Sequence, residues 1–246
     1  MTTIENILMI DGVPVSFEPG QSVLEAALAN GIFIPHLCWH PDFGAHGSCK
    51  LCTVIVNGRN GSACTIKAMP GQEVFSNTPE LGERRRTLLQ MLFVEGNHFC
   101  PGCEKSGDCK LQAHAYEEEM LNPHFNQFYP NRPLDGSHPD ILLDLNRCIM
   151  CELCVRASRD VDGKSVFGLS GRGRASHIVV NSASGKLSDT NISVDDRAVH
   201  ICPVGAILVK RIGFAVPIGE RTFDKTPISE LGLDLGVAAP VEETTE

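Results

Sequence analysis

Cys148-Ile149-Met150-Cys151-Glu152-Leu153-Cys154, answered far downstream by Cys202-Pro203, is the stretch on which the reading of this chain turns. Three thiols two residues apart suit three corners of an iron–sulfur cube, and a remote cysteine closes the fourth while tying two chain segments together. Ser158-Arg159 stands where a further Cys-Pro would open a second cube, and no other Cys-x2-Cys-x2-Cys run exists. Cys202 therefore most economically completes the same site, a single [4Fe–4S] cluster.

The other cysteines extend the pattern. The 246 residues include 11 Cys, roughly three times ordinary usage. They divide into groups of four, three and four without remainder. Cys38, Cys49, Cys52 and Cys64 are separated by ten, two and eleven residues, with Gly44 and Gly47 in the intervening loop. Four thiolates hold a [2Fe–2S] cluster, and a glycine-rich loop lets backbone N–H groups point at its sulfurs. Cys100, Cys103 and Cys109 are one ligand short of a cube, and His98 is the obvious fourth, with His114 as its competitor. Imidazole in place of thiolate removes a negative charge and favours reduction.

Zinc is the structural alternative, because sites of four thiolates, or of three thiolates and an imidazole, also bind zinc. Zinc usually draws on two separated Cys-x2-Cys knuckles, an arrangement none of the groups has. A single activated nucleophile would not explain three groups. Lys105, Arg147, Arg156 and Arg159 flank the groups, where they either favour reduced clusters or simply solvate the surface. Arg84-Arg85-Arg86 reads as a solvated helix face.

Composition narrows the class. With 21 basic and 30 acidic residues the net charge is −9, which disfavours nucleic acid and anionic membranes. The N-terminus lacks a basic segment followed by an apolar run, and no stretch is long enough to span a bilayer. The expectation is a cytoplasmic, soluble protein whose thiols stay reduced and bind metal.

Periodicity divides the chain. Ile7–Ile10 and Val13–Phe17 read as a hairpin turning at Asp11-Gly12, and Ser22 with Glu25 as a capping box ahead of an apolar helix. Thr53–Val56 reads as a strand that turns at Asn57-Gly58. Residues 1–78 thus predict a small mixed sheet on one helix. Residues 79–121 predict two helices around the second group, the first running from Pro79 to Val94 and the second from Lys110 to Met120. Residues 122–139, with four prolines, predict an extended linker. Residues 140–223 carry the third group, with strands at Ser165–Leu169 and His177–Val180. Residues 224–246 form an acidic tail.

The order of these groups resembles the iron–sulfur region shared by the large electron-carrying subunit of respiratory NADH dehydrogenase, iron-only hydrogenases and the diaphorase iron–sulfur subunit of NAD-reducing [NiFe] hydrogenases. The last is most similar, through Glu95-Gly96-Asn97-His98-Phe99-Cys100-Pro101-Gly102-Cys103-Glu104-Lys105-Ser106-Gly107, with one residue between His98 and Cys100. Ile201-Cys202-Pro203-Val204-Gly205-Ala206-Ile207 and Pro217-Ile218-Gly219 add to it.

The resemblance covers residues 5–223 and implies an α+β protein. Its parts are a β-grasp [2Fe–2S] ferredoxin-like domain, a small helical [4Fe–4S] domain with one His and three Cys ligands, and a ferredoxin-like [4Fe–4S] domain. It implies an electron-transfer subunit without a complete active site. Its partners would be a flavin/NAD-binding diaphorase subunit carrying FMN, and a hydrogenase small subunit leading to the large subunit with the Ni–Fe centre. The alternatives are the equivalent subunit of an NAD-linked formate dehydrogenase or respiratory-type NADH dehydrogenase and, in another class, a zinc-stabilised interaction module.

Overall fold

The computed structural model describes residues 6–234. Its first sheet opens with β1 (Ile7–Ile10) and β2 (Val13–Ser16), paired antiparallel. Asp11 (φ 48°) and Gly12 (φ 80°) both take left-handed backbone, as a tight hairpin turn between right-twisted strands demands. Helix α1 (Val23–Ala29) starts at the expected capping box: Glu25 N–H donates to Ser22 Oγ at 3.2 Å, and Ser22 N–H donates to the Glu25 carboxylate at 2.6 Å.

Strands β3 (Thr53–Val56), β4 (Arg59–Ser62) and β5 (Glu73–Phe75) complete an order β2-β1-β5-β3-β4. The central pair β1–β5 is parallel and the other pairings are antiparallel. A parallel pair needs a crossover, and α1 lies on that path. It buries Val23, Leu24, Ala26 and Ala27 against Leu8, Ile10, Val15, Val54 and Val74.

Helix α2 (Pro79–Glu95) begins where expected, with Leu81 N–H donating to Thr78 Oγ1 at 3.3 Å. One expectation for it fails. The Arg84–Arg86 run is not a uniformly solvated face, because Arg85 is only 5% exposed. Arg85 reaches back to the first sheet, donating to the Ser76 carbonyl at 2.7 Å, and lies 3.7 Å from Glu118. Sequence period alone cannot distinguish a buried, carbonyl-bonded guanidinium from its exposed neighbours. Helix α3 (Lys110–Glu117) stops short of the expected Met120 and is followed by Glu119 in left-handed backbone (φ 54°).

The proline-rich stretch 122–139 also departs from a plain linker. It contains β6 (Leu134–Asp135), which pairs with β7 (Ile141–Asp144), itself paired with β10 (Ile207–Val209). Buried Asp135 accepts from Leu187 N–H at 2.7 Å, pinning the stretch to the body of the protein. Between these strands lie α4 (Leu153–Asp160), the hairpin β8 (Phe167–Ser170) with β9 (His177–Val180), and the short α5 (Arg197–His200). Part of the expected acidic tail is structured as α6 (Ile228–Asp234), which packs on α3. Residues 235–246 lie outside the described residues.

The cores are not insulated from one another. One of them gathers Leu37 and Leu51 from the first cysteine loop, Leu89 from α2, Leu111 and Ala115 from α3, and Val204 and Ala206 from beside Cys202. All three cysteine groups therefore share a packed interior.

Arg85→Ala should strand Glu118 and unpair the Ser76 carbonyl. The expected cost is about 3 kcal/mol, read as a fall in the denaturant midpoint of the reduced protein.

Candidate metal centres

In the first group, the backbone supplies the donors that the glycine-rich loop was expected to supply. Gly44 (φ 65°), Gly47 (φ 76°) and Lys50 (φ 57°) all adopt left-handed backbone. That path aims the N–H groups of Ser48 and Cys49 at Cys38 Sγ and that of Gly47 at Cys64 Sγ. A Cβ on Gly47 would lie 2.9 Å from the Thr65 methyl, so the loop has no room for a side chain there.

The four thiols lie side by side in two pairs. Cys52 Sγ is 3.4 Å from Cys64 Sγ, and Cys49 hydrogen-bonds Cys38. The bond from Cys49 pulls the Cys38 thiol down to about 4, and the bond from Cys52 likewise lowers Cys64. The donor thiols Cys49 and Cys52 are pushed upward in turn. Within each pair, one thiol thus ionises more readily than its partner.

The second group lines a small hollow bordered by His98, Cys100, Cys103 and Cys109. His98 Nε2 is buried without a hydrogen-bond partner, and burial lowers the imidazole to about 4, so it is neutral with a free lone pair. A Cβ on Gly96 would lie 2.5 Å from this nitrogen, so only glycine leaves the ring its place. Burial pushes Cys109 up to about 12. His114, the competitor, lies elsewhere: fully buried, its Nε2 hydrogen-bonds the His36 carbonyl at 3.0 Å and its ring stacks on Phe33.

The third group lines a small hollow walled by Leu143, Leu145, Ile178, Val204 and Ile207 together with Cys148, Cys151, Cys154 and Cys202. Met150 (φ 54°) and Glu152 (φ 57°) wrap the Cys148–Cys154 segment around it, and Met150 N–H donates to Cys148 Sγ at 3.4 Å. Burial raises Cys148 to about 11 and holds Cys151 and Cys154 well above the ordinary thiol range. Such thiols bind metal with release of protons. The donors of the second and third groups line hollows, and soft thiolate in a dry wall with N–H donors suits iron–sulfur clusters.

Two arginines link the groups. Arg156 donates to the Cys38 carbonyl at 2.6 Å and to that of Cys151 at 3.5 Å. Arg147, next to Cys148, places Nη1 3.6 Å from Cys103 Sγ and ion-pairs with Glu104 and Asp144. Arg159 sits on the surface, paired with Asp160. The third group is thus flanked by the other two. Sequence reading missed Gly96, Gly205 and Arg132, whose Nη1 donates to the Cys148 carbonyl at 3.0 Å. Gly205 and Arg132 act across long sequence separations, so no local signal betrays them, and Gly96, two residues from His98, matters only because the ring folds back over it.

Family models match three consecutive regions: a 2Fe-2S iron-sulfur cluster binding domain at 7–79, the NADH-ubiquinone oxidoreductase-G iron-sulfur binding region at 85–124, and the ferredoxin-like domain of NADH-quinone oxidoreductase subunit 3 at 138–208. Fold and matched domains together define an iron–sulfur electron-transfer protein. The chain is 40% identical over 218 residues to the NAD-reducing hydrogenase HoxS subunit gamma of Cupriavidus necator, covering 88% of this chain and 92% of that one. A chain in a crystal structure of an NAD+-reducing [NiFe]-hydrogenase in the H2-reduced state superposes with a TM-score of 0.90 at 54% identity, covering 94% of this chain and 98% of that one. The mitochondrial NADH-ubiquinone oxidoreductase 78 kDa subunit of Candida albicans is 29% identical, but the match spans only 28% of its length and 83% of this chain. This chain belongs to the family of iron–sulfur electron-transfer subunits of NAD-reducing hydrogenases, akin to the large subunits of respiratory NADH dehydrogenases.

His98→Cys should lower the reduction potential of the second centre by adding a thiolate, an outcome checked by redox titration; an unchanged potential would remove His98 from the ligand set. Gly205→Ala would put a methyl 2.8 Å from Cys103 Sγ. It should alter the paramagnetic signature of the second centre more than that of the first.

Proposed function

We propose that Cys38, Cys49, Cys52 and Cys64 hold a [2Fe–2S] cluster, that His98, Cys100, Cys103 and Cys109 hold one [4Fe–4S] cluster, and that Cys148, Cys151, Cys154 and Cys202 hold another. The carrying observation is that each of the latter two donor sets lines one hollow, His98 included, with His98 Nε2 buried and unpartnered. When bound, these clusters supply one-electron redox chemistry, relaying electrons between a flavin/NAD(H) subunit carrying FMN and a hydrogenase small subunit that leads to the Ni–Fe centre.

The chain's own residues shape that chemistry. Leu143, Ile178 and Val204 exclude water from the third site, and backbone N–H groups of Ser48, Gly47 and Met150 stabilise charge on sulfur. Neutral His98 leaves the second site one negative charge poorer than a four-thiolate set. Partner docking is supported by exposed apolar residues near Cys100. Phe99, Ile212, Phe214, Val216 and Ile218 all stand in solvent, Ile218 with 85% of its surface free. We place the assembly in the cytoplasm; among the described residues no helix is long and apolar enough to cross a membrane.

Protein isolated without oxygen should contain about ten iron atoms per chain with matching acid-labile sulfide, and three paramagnetic species on stepwise reduction. Colourless, zinc-bearing protein would overturn the proposal. Co-purification with a formate-oxidising subunit rather than hydrogenase subunits would redirect the partner assignment.

A further inference from the structure

Arg156 is a buried cation, only 8% exposed, held by backbone oxygens rather than by a carboxylate. Its guanidinium donates to the carbonyls of Cys38 (2.6 Å), Gly44 (3.3 Å), Glu152 (3.4 Å) and Cys151 (3.5 Å), and lies 5.7 Å from the Phe43 ring centroid. The acidic residues that bracket it in sequence are engaged elsewhere. Glu152 lies 3.4 Å from His46 Nε2, and Asp160 lies 2.6 Å from Arg159 Nε. The other interior arginines differ: Arg147 meets Glu104 and Asp144, and Arg85 meets Glu118.

A guanidinium out of water needs negative charge nearby as well as hydrogen bonds. Two of its four carbonyl partners belong to cysteines of different groups, and both a two-iron and a four-iron cluster with four thiolates are net anions. Resting on the ligand assignment above, we propose that Arg156 is the shared counter-charge of the centre held by Cys38, Cys49, Cys52 and Cys64 and of that held by Cys148, Cys151, Cys154 and Cys202. As a positioning residue it raises both reduction potentials together, because each reduction adds negative charge beside the same cation. The centre that contains His98 faces Arg147 instead, whose charge carboxylates already balance, and serves as the internal reference.

The test uses the full chain, loaded with clusters and purified without oxygen, as wild type, Arg156→Gln and Arg156→Lys, with paramagnetic resonance followed through a potentiometric titration. For Arg156→Gln the reduced-to-oxidised ratio at fixed potential should fall about tenfold at the centres of the first and third groups, equivalent to about 59 mV for one electron, with a much smaller change at the centre that contains His98. Arg156→Lys should recover most of the shift. Unchanged potentials at full iron content would overturn the proposal, as would equal shifts at all three centres or loss of clusters from both variants, which assigns Arg156 to structure alone. Wild-type protein with fewer than three centres would instead refute the ligand assignment.

Discussion

Thiols crowded into a dry interior resist ionisation, and this constraint organises the molecule. Burial holds Cys109, Cys148, Cys151 and Cys154 above the ordinary thiol range. Such sites give up their protons when a metal cation binds. The protein's contribution is to make the sites in advance: left-handed turns that aim N–H groups at sulfur, glycines where a methyl would strike a ligand, and apolar walls that keep water out.

The three sites are also built on one another. Leu37 and Leu51 of the first loop share a core with Leu111 of α3 and Val204 beside Cys202, so part of the packing is common to all three sites. Hydrogen bonds reinforce this: Asn97 N–H donates to the Asn146 carbonyl, and Lys110 N–H to that of Pro203. A relay needs fixed, short separations between its centres, and shared packing provides them. It also explains why a chain with so little aromatic content can order several small folding units.

Much of the local structure was legible because it depends on near neighbours. The two-residue turns at Asp11-Gly12 and Asn57-Gly58, the capping box at Ser22 and Glu25, and the start of α2 at Thr78-Pro79 are consequences of backbone preference within four residues. The strands β6, β7 and β10 were not legible. Each has two to four residues, and β10 pairs with β7 from beyond the Cys148–Cys154 segment, so no alternation accumulates along the chain. The burial of Arg85 escaped for a related reason, since its partners come from the first sheet and from the end of α3.

Sequence by itself determined which atoms were candidates for metal, because thiol chemistry and the close spacing of Cys148, Cys151 and Cys154 are properties of the chain. It also determined that His98 had the nearer claim to the incomplete group. Tertiary structure alone decided that His114 turns away to the His36 carbonyl, that Gly96 and Gly205 clear space for His98 and Cys103, and that Arg156 joins the first group to the third. The physical reason is range: ligand identity is encoded residue by residue, whereas cavity shape, desolvation and the placing of a buried charge arise only when distant segments close on one another.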